Sequence, residues 1–368
     1  MNNLPAHKAL PIHILASCFK NTVATYKFYW FISIIESIEK GNHVIDKQSL
    51  FAGMIANAWY TVNYFNLSFG VQDQFQNAIK QITEVECLSI DEKKDKIVHK
   101  LKSSDIKETI KTLRHFDGEV PYRFLSPWFS NIKGYKQDIY KFSQSFTNDC
   151  LYAVDKHSVI INPKWVSYLT ENSGILKAFC YWHLCLYLQK RNPNVPDIAN
   201  KLFKSPHRNS LLKPRKEFWD VVIEKTGPVK CIYTKNLLLI NEYAVDHFVP
   251  FAFVSHDLIW NLIPADKSFN CSKSDKLPIF DKYFDDYFEL QELAMKTVFS
   301  YSPKNKLLQD YLTILPDLSL LNSLSKEDLK NRFKDNIYPL ITIAANNGFE
   351  YIAPPLLKPP ILSRNHSL

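Results

Sequence analysis

The densest set of chemistry-bearing side chains lies in residues 231–278, CIYTKNLLLINEYAVDHFVPFAFVSHDLIWNLIPADKSFNCSKSDKLP. Asp246 and His247 are adjacent there. Histidine is the side chain whose ordinary pKa lets it accept a proton from water near neutral pH. Neighbours on a regular strand point to opposite faces, so the Asp246 carboxylate is not committed to His247 and is free to hold a metal ion. Asn261 places an amide between the apolar anchors Trp260 and Leu262. Asn270 and Lys273 are three apart and share one face of a helix predicted to begin in Ser268–Lys276. His256 and Asp257 open a polar corner, and Asp257, before a Leu-Ile-Trp run, reads as an N-cap.

These groups need a frame. The β-prone residues Leu237 to Val245 lead into the Asp-His pair and Val249 to Val254 continues β-like, which predicts a β-ribbon with a charged turn. Around it the pattern is helical. From Leu10 to about Ile82, TYKFYWFISIIESIEK and SLFAGMIANAWYTVNYF carry apolar residues on more than one face, so their helices must be packed on several sides. Asp91 to Lys111 reads as surface helices, and VPYRFLSPWF (Val120 to Phe129), broken by two prolines, as a connector against the core. Tyr152 to Ile161 reads as a short strand or hairpin, and Gly174 to Arg191 as a buried helix in which His183 is a hydrogen-bonded core residue. Phe284 to Val298 and Ser325 to Asn346 read as helices, and PPLLKPPILSRNHSL as a mobile, proline-rich tail.

The 368 residues exceed one ordinary core, and 46% hydrophobic and 14% aromatic content with 8 Gly describes a globular, helix-rich chain. A formal charge of +8 favours polyanionic partners without separating nucleic acid from a membrane surface. Part of it is a block between Asp197 and Glu217 that holds Lys201, Lys204, His207, Arg208, Lys213, Arg215 and Lys216 and no acidic residue. Such a block is either a solvated loop or a contact for a phosphate backbone. Seven cysteines without repeated CxxC spacing indicate no disulfide framework and fit a reducing cytoplasm. MNNLPAHKALPIH lacks a secretory pattern, and the apolar run Phe28 to Ile38 is too short and interrupted to span a membrane.

In order along the chain, DHFVP, WNLIP and FNCSKSDKLP resemble the HNH nuclease family, whose ββα-metal unit strings D-H, N-L and a final H or N in this sequence. The D-H-x-x-P opening and N-x-x-K-S-D-x-x-P close are especially similar to the HNH domain of the RNA-guided CRISPR nucleases. The resemblance implies hydrolysis of phosphodiester bonds in DNA, with His247 as general base and Asp246 and Asn270 as oxygen ligands of one metal ion. It makes Asn261 the brace of the loop bearing His247. A hard, all-oxygen pair implies Mg²⁺, with Mn²⁺ as a substitute. Lys273 is expected to reach a phosphate or cap the helix surface, His256 to lie near the metal site, and Lys213, Arg215, Lys216 and Arg208 to contact the DNA backbone. The zinc-binding CxxC pairs of many family members are reduced here to Cys231 and Cys271, with Thr234 where a further cysteine would stand. Support must then come from packing through Tyr233, Phe248, Phe251, Trp260 and Phe269.

The expected fold is mainly α with a small α+β insert, helical N- and C-terminal regions surrounding a ββα-metal HNH nuclease unit. Residues 1–219 form a helical region that binds DNA or a partner, 220–300 the nuclease, and 301–368 a helical region with the Pro-rich tail. One site per chain implies nicking, or double-strand cutting by a homodimer. Restriction, phage defence with a partner protein, or a mobile element is the setting by analogy. Two other readings stay open: an inactive DNA-binding or scaffold protein, and an HNH nuclease that cuts RNA.

Overall fold

A helix that is apolar all round must be enclosed by others. Tyr26–Glu39 and Lys47–Asn63 are two such helices, and Phe28, Trp30, Ile55 and Trp59 on them are wholly removed from solvent. They centre the first of two units into which the chain divides, Met1–Arg208 and Asn209–Leu368. The computed structural model describes residues 4–20, 22–130, 136–203 and 210–353. The proline-rich tail and three members of the basic block, Lys204, His207 and Arg208, lie outside the described residues. Among the described residues no helix is long and apolar enough to cross a membrane.

In the first unit, β1 (Val44–Asp46), β2 (Tyr152–Val154) and β3 (Ser158–Ile161) form an antiparallel sheet in the order β1-β3-β2. Asp46 ends β1 and caps the next helix by accepting the Ser49 N–H at 2.7 Å. The Val120–Phe129 segment differs from the connector its prolines predict, because helix Lys107–Leu125 runs through Pro121. Proline frees the carbonyl four residues back, here that of Asp117. The Tyr140 hydroxyl donates to that carbonyl at 3.3 Å, and the Tyr152 hydroxyl donates to the carbonyl of Pro121 itself at 2.7 Å. Two tyrosines thus supply partners that let the helix continue, and the chain breaks only into a 3-10 turn at Ser126–Phe129. Helix Ser173–Arg191 is buried on one face, with Trp182 and Leu186 exposed on the other, and the His183 ring packs 4.5 Å from that of Phe179.

The second unit begins with a helical run, Leu212–Pro214, Arg215–Trp219 and Asp220–Thr226, whose middle part is wound as a wider π turn. Helix Phe280–Tyr301 forms its spine and Lys326–Asn346 packs on it, with the Ser325 hydroxyl capping the latter at Asp328 N. Residues beyond 300 therefore share a unit with the 220–300 region instead of standing apart, as does the 212–219 segment that the sequence assigns to the N-terminal region.

The spine turns two polar side chains inward. Tyr287 donates to the Trp260 carbonyl, and the amide of Gln291 donates to the carbonyls of Ile259 at 3.3 Å and Leu262 at 2.9 Å. The other end of the Gln291 amide accepts the Tyr311 hydroxyl at 2.6 Å. Of these groups the Ile259 carbonyl also accepts the Leu262 N–H, whereas a buried polar group left with no partner at all costs about 1–3 kcal/mol. Gln291→Met, close in volume but unable to bond, should lower stability by about 2 kcal/mol or more in urea unfolding. An unchanged midpoint would show that these bonds are not needed.

Candidate active site

Four short strands shape the site: β4 (Val229–Lys230), β5 (Leu237–Leu238), β6 (Tyr243–His247) and β7 (Leu262–Asp266). β4 pairs with β5, and β6 with β7, placing Asp246 opposite Ile263 and His247 opposite Leu262. Asp266 then caps helix Lys267–Lys273 by accepting the N–H groups of Ser268 at 2.9 Å and Phe269 at 3.1 Å. The ribbon partner of β6 is therefore residues 262–266, not the β-like 249–254 run. Pro250 has no N–H to give a ladder, both backbone groups of Val249 are taken by a side chain, and Phe251–Val254 closes into a single helical turn.

That side chain is Asn261. Its Oδ1 accepts the Val249 N–H and its Nδ2 donates to the Val249 carbonyl, each at 2.8 Å, while its own carbonyl accepts the Phe248 N–H at 2.8 Å. The amide imitates a strand neighbour and shuts the loop directly after His247. Burial of Asn261 is complete.

His247 is 4% exposed, with its Nε2 at 2.8 Å from the Asp257 carboxylate and its ring edge-on to Phe251 at 5.4 Å. A carboxylate only accepts, so the shared hydrogen sits on Nε2, and in the neutral ring that leaves the lone pair on Nδ1. Asp257 is thus not the N-cap that the sequence suggests. The 3-10 turn Ile259–Asn261 takes its cap from Asp310, which accepts the Ile259 N–H at 2.8 Å and whose carboxyl pKa is raised by burial. No pattern in the sequence links His247 to Asp257, ten positions on, because they meet only through the turn that Asn261 closes.

Asp246 is 5% exposed and engaged on both oxygens. The Lys273 ammonium lies 3.2 Å from Oδ1 and 3.1 Å from Oδ2, and the Tyr233 hydroxyl donates to Oδ2 at 3.1 Å. Burial, then the Asp246 charge, push the Tyr233 pKa well above its ordinary value, so it remains a donor. Lys273 has no exposed surface and donates also to the His247 carbonyl at 2.7 Å. It is neither on the helix surface nor open to an external phosphate. Asn270, one turn earlier and on the same helical face, is half-buried, and its amide makes no hydrogen bond among the described residues.

The remaining sequence candidates divide. His256 lies against Trp260, 5.4 Å between ring centres. Arg215 is held at the turn before β6, its guanidinium 5.0 Å from the Tyr243 ring centre and 3.3 Å from the Asn241 amide oxygen. Lys213 and Lys216 are exposed on the same helical run. Lys201, in the first unit, is buried against the Pro196 carbonyl, and burial lowers its pKa to about 7, so it leaves the basic face.

Packing surrounds the ribbon where the cysteine pairs are reduced. Tyr233 stacks on Phe269 at 4.6 Å and meets Tyr283 at 5.1 Å, and Phe248 stacks on Tyr287 at 4.1 Å. Cys231 is buried and its sulfur accepts the Asp266 N–H at 3.4 Å, while Cys271 is exposed.

Residues 231–279 match the family model described as HNH endonuclease, a span that takes in β5, β6, β7 and the helix after them. This segment belongs to the HNH endonuclease family, which points to nuclease activity. No curated protein and no solved structure matches the chain. HNH nucleases generally use divalent metal ions. Among the described residues no group of three or more His, Cys, Asp or Glu is arranged to hold one. Asp246 and Asn270 each carry a hard oxygen of the kind such an ion takes, with both Asp246 oxygens engaged by Lys273 and the Asn270 amide making no hydrogen bond among the described residues.

Asn261→Ala leaves the Val249 N–H and carbonyl buried and unpaired, so it should cost about 2 kcal/mol or more. Hydrogen exchange should speed up selectively at Phe248 and Val249 in a destabilised but folded variant. Unaltered protection at both would contradict the clamp.

Proposed function

We propose that the second unit is a metal-dependent HNH endonuclease that hydrolyses DNA phosphodiester bonds. The observation that carries this reading is the His247–Asp257 contact, which orients the imidazole ring that directly follows Asp246 on the same strand. His247 Nδ1 takes the proton of the attacking water, and Asp257 steadies the imidazolium that forms. Asn261 acts through the loop, holding His247 rather than touching substrate. Asp246 and Asn270 would hold Mg²⁺ or Mn²⁺, which when bound supplies positive charge for the phosphate and the leaving 3′ oxygen.

Lys213, Lys216 and Arg215 would contact the DNA backbone. The three cations lie on one helical run tied to the turn before β6 by the Arg215–Asn241 bond. An excess of Lys and Arg, +8 over the chain, agrees with a polyanion as substrate. Restriction, phage defence or a mobile element remains the setting by analogy with nucleases that carry a large helical partner region.

Supercoiled plasmid should be nicked by the wild type with Mg²⁺ or Mn²⁺ and stay intact with His247→Ala. Asp257→Asn should lower kcat by about tenfold or more with KM little changed, since the tautomer and the stabilised imidazolium are lost but the binding surface is not. Equal nicking by wild type and His247→Ala sinks the assignment. A second reading, a DNA-binding scaffold without activity, is favoured by one observation, the ammonium lying on Asp246. It predicts DNA binding with no cutting under any divalent ion. Labelled RNA in parallel separates the third possibility.

Backbone contact has its own signature. Lys213→Ala with Lys216→Ala should weaken duplex binding uniformly across sequences and reduce the slope of log Kd against log salt by about 2. An unchanged slope removes these two residues from the interface.

A further inference from the structure

A buried carboxylate without counter-charge is strongly disfavoured, and among the described residues Asp246 is paired with the ammonium of Lys273. That ammonium is itself fully buried and touches both oxygens through which Asp246 would bind a metal. We propose that Lys273 is an internal cation of the metal site: it neutralises Asp246 while no divalent ion is bound and competes with that ion for the carboxylate. The lysine thereby sets the metal concentration at which the site fills. The inference rests on the reading of Asp246 as a metal ligand.

The geometry makes such an exchange feasible. Lys273 has three N–H donors and, among the described residues, bonds to Asp246 and the His247 carbonyl. The carbonyl bond, at 2.7 Å, is the shorter and does not involve the carboxylate. An ammonium released from Asp246 would therefore still have the His247 carbonyl as a partner. Asn270 stands one helical turn earlier on the same face, and among the described residues its amide has no hydrogen bond to give up. Charge accounting gives the direction of the effect. With Lys273 in place a divalent ion must displace a cation already paired with Asp246; with a neutral side chain there, no internal cation competes and the ion itself supplies the counter-charge.

The test is Mn²⁺ affinity of the full chain, measured by electron paramagnetic resonance of the free ion, with thermal melts in EDTA and in Mn²⁺. Lys273→Gln removes the charge but keeps an N–H for the His247 carbonyl, and should bind Mn²⁺ at least about tenfold tighter than the wild type. It should also gain more in melting temperature from Mn²⁺ than the wild type does. Lys273→Met should behave likewise, Lys273→Arg should stay near the wild type, and Asp246→Asn should lose the site. A variant that is unfolded in EDTA but folded in Mn²⁺ supports the proposal, since the ion then supplies the missing charge. Unchanged Mn²⁺ affinity in Lys273→Gln alongside loss in Asp246→Asn overturns it while leaving Asp246 a ligand. Neutral variants unfolded in both conditions overturn it as well. Wild-type affinity in Asp246→Asn overturns the metal assignment itself.

Discussion

Everything at the site hangs on one constraint: a carboxylate taken out of water must find positive charge and hydrogen bonds where it lies. Asp246 finds them in Lys273 and Tyr233. Because Lys273 belongs to helix Lys267–Lys273 and Asp246 to β6, this pair pins the helix across the ribbon, and the added bond to the His247 carbonyl fixes the strand at the point where the histidine leaves it. Tyr233 draws in the turn after β4. Three separate pieces of chain are thus drawn together by the solvation requirement of a single side chain.

The rest of the frame relies on amides. Asn261 replaces a strand neighbour for Val249, and Gln291 gathers the carbonyls on either side of Asn261. An amide suits both places because it gives and accepts in one plane, so it can complete two backbone groups at once. Neighbouring aromatic stacks, Tyr233 on Phe269 and Phe248 on Tyr287, exclude water from these bonds and strengthen them.

Much of this was legible from residue order. The alternation of β6, the i,i+3 pair Asn270 and Lys273, and the anchoring of Asn261 between Trp260 and Leu262 all follow from local periodicity. What local patterns do not carry is which groups meet across a turn. Asp257 looks like a cap because an aspartate before an apolar run usually is one, yet its partner is a histidine ten residues earlier and Asp310 takes over the capping. The 249–254 run looks like a strand because its residues prefer extended backbone, yet a distant asparagine consumes its ladder bonds. Lys273 looks like a surface lysine because long cations usually are, and only the position of Asp246 explains its burial. Helix Lys107–Leu125 continuing through Pro121 has the same origin, since the rescuing tyrosines come from elsewhere.

The family match ends at Ile279, but Tyr287, Gln291, Asp310 and Tyr311, which hold the loop around Asn261, all come after it. The motif is therefore not a self-sufficient module. Recombination that cut at residue 279 would carry the recognisable letters into a new host and leave behind the scaffold that gives them their shape. Swaps designed around this segment should take their crossover points from the boundary of the second unit near 209 rather than from the edges of the motif.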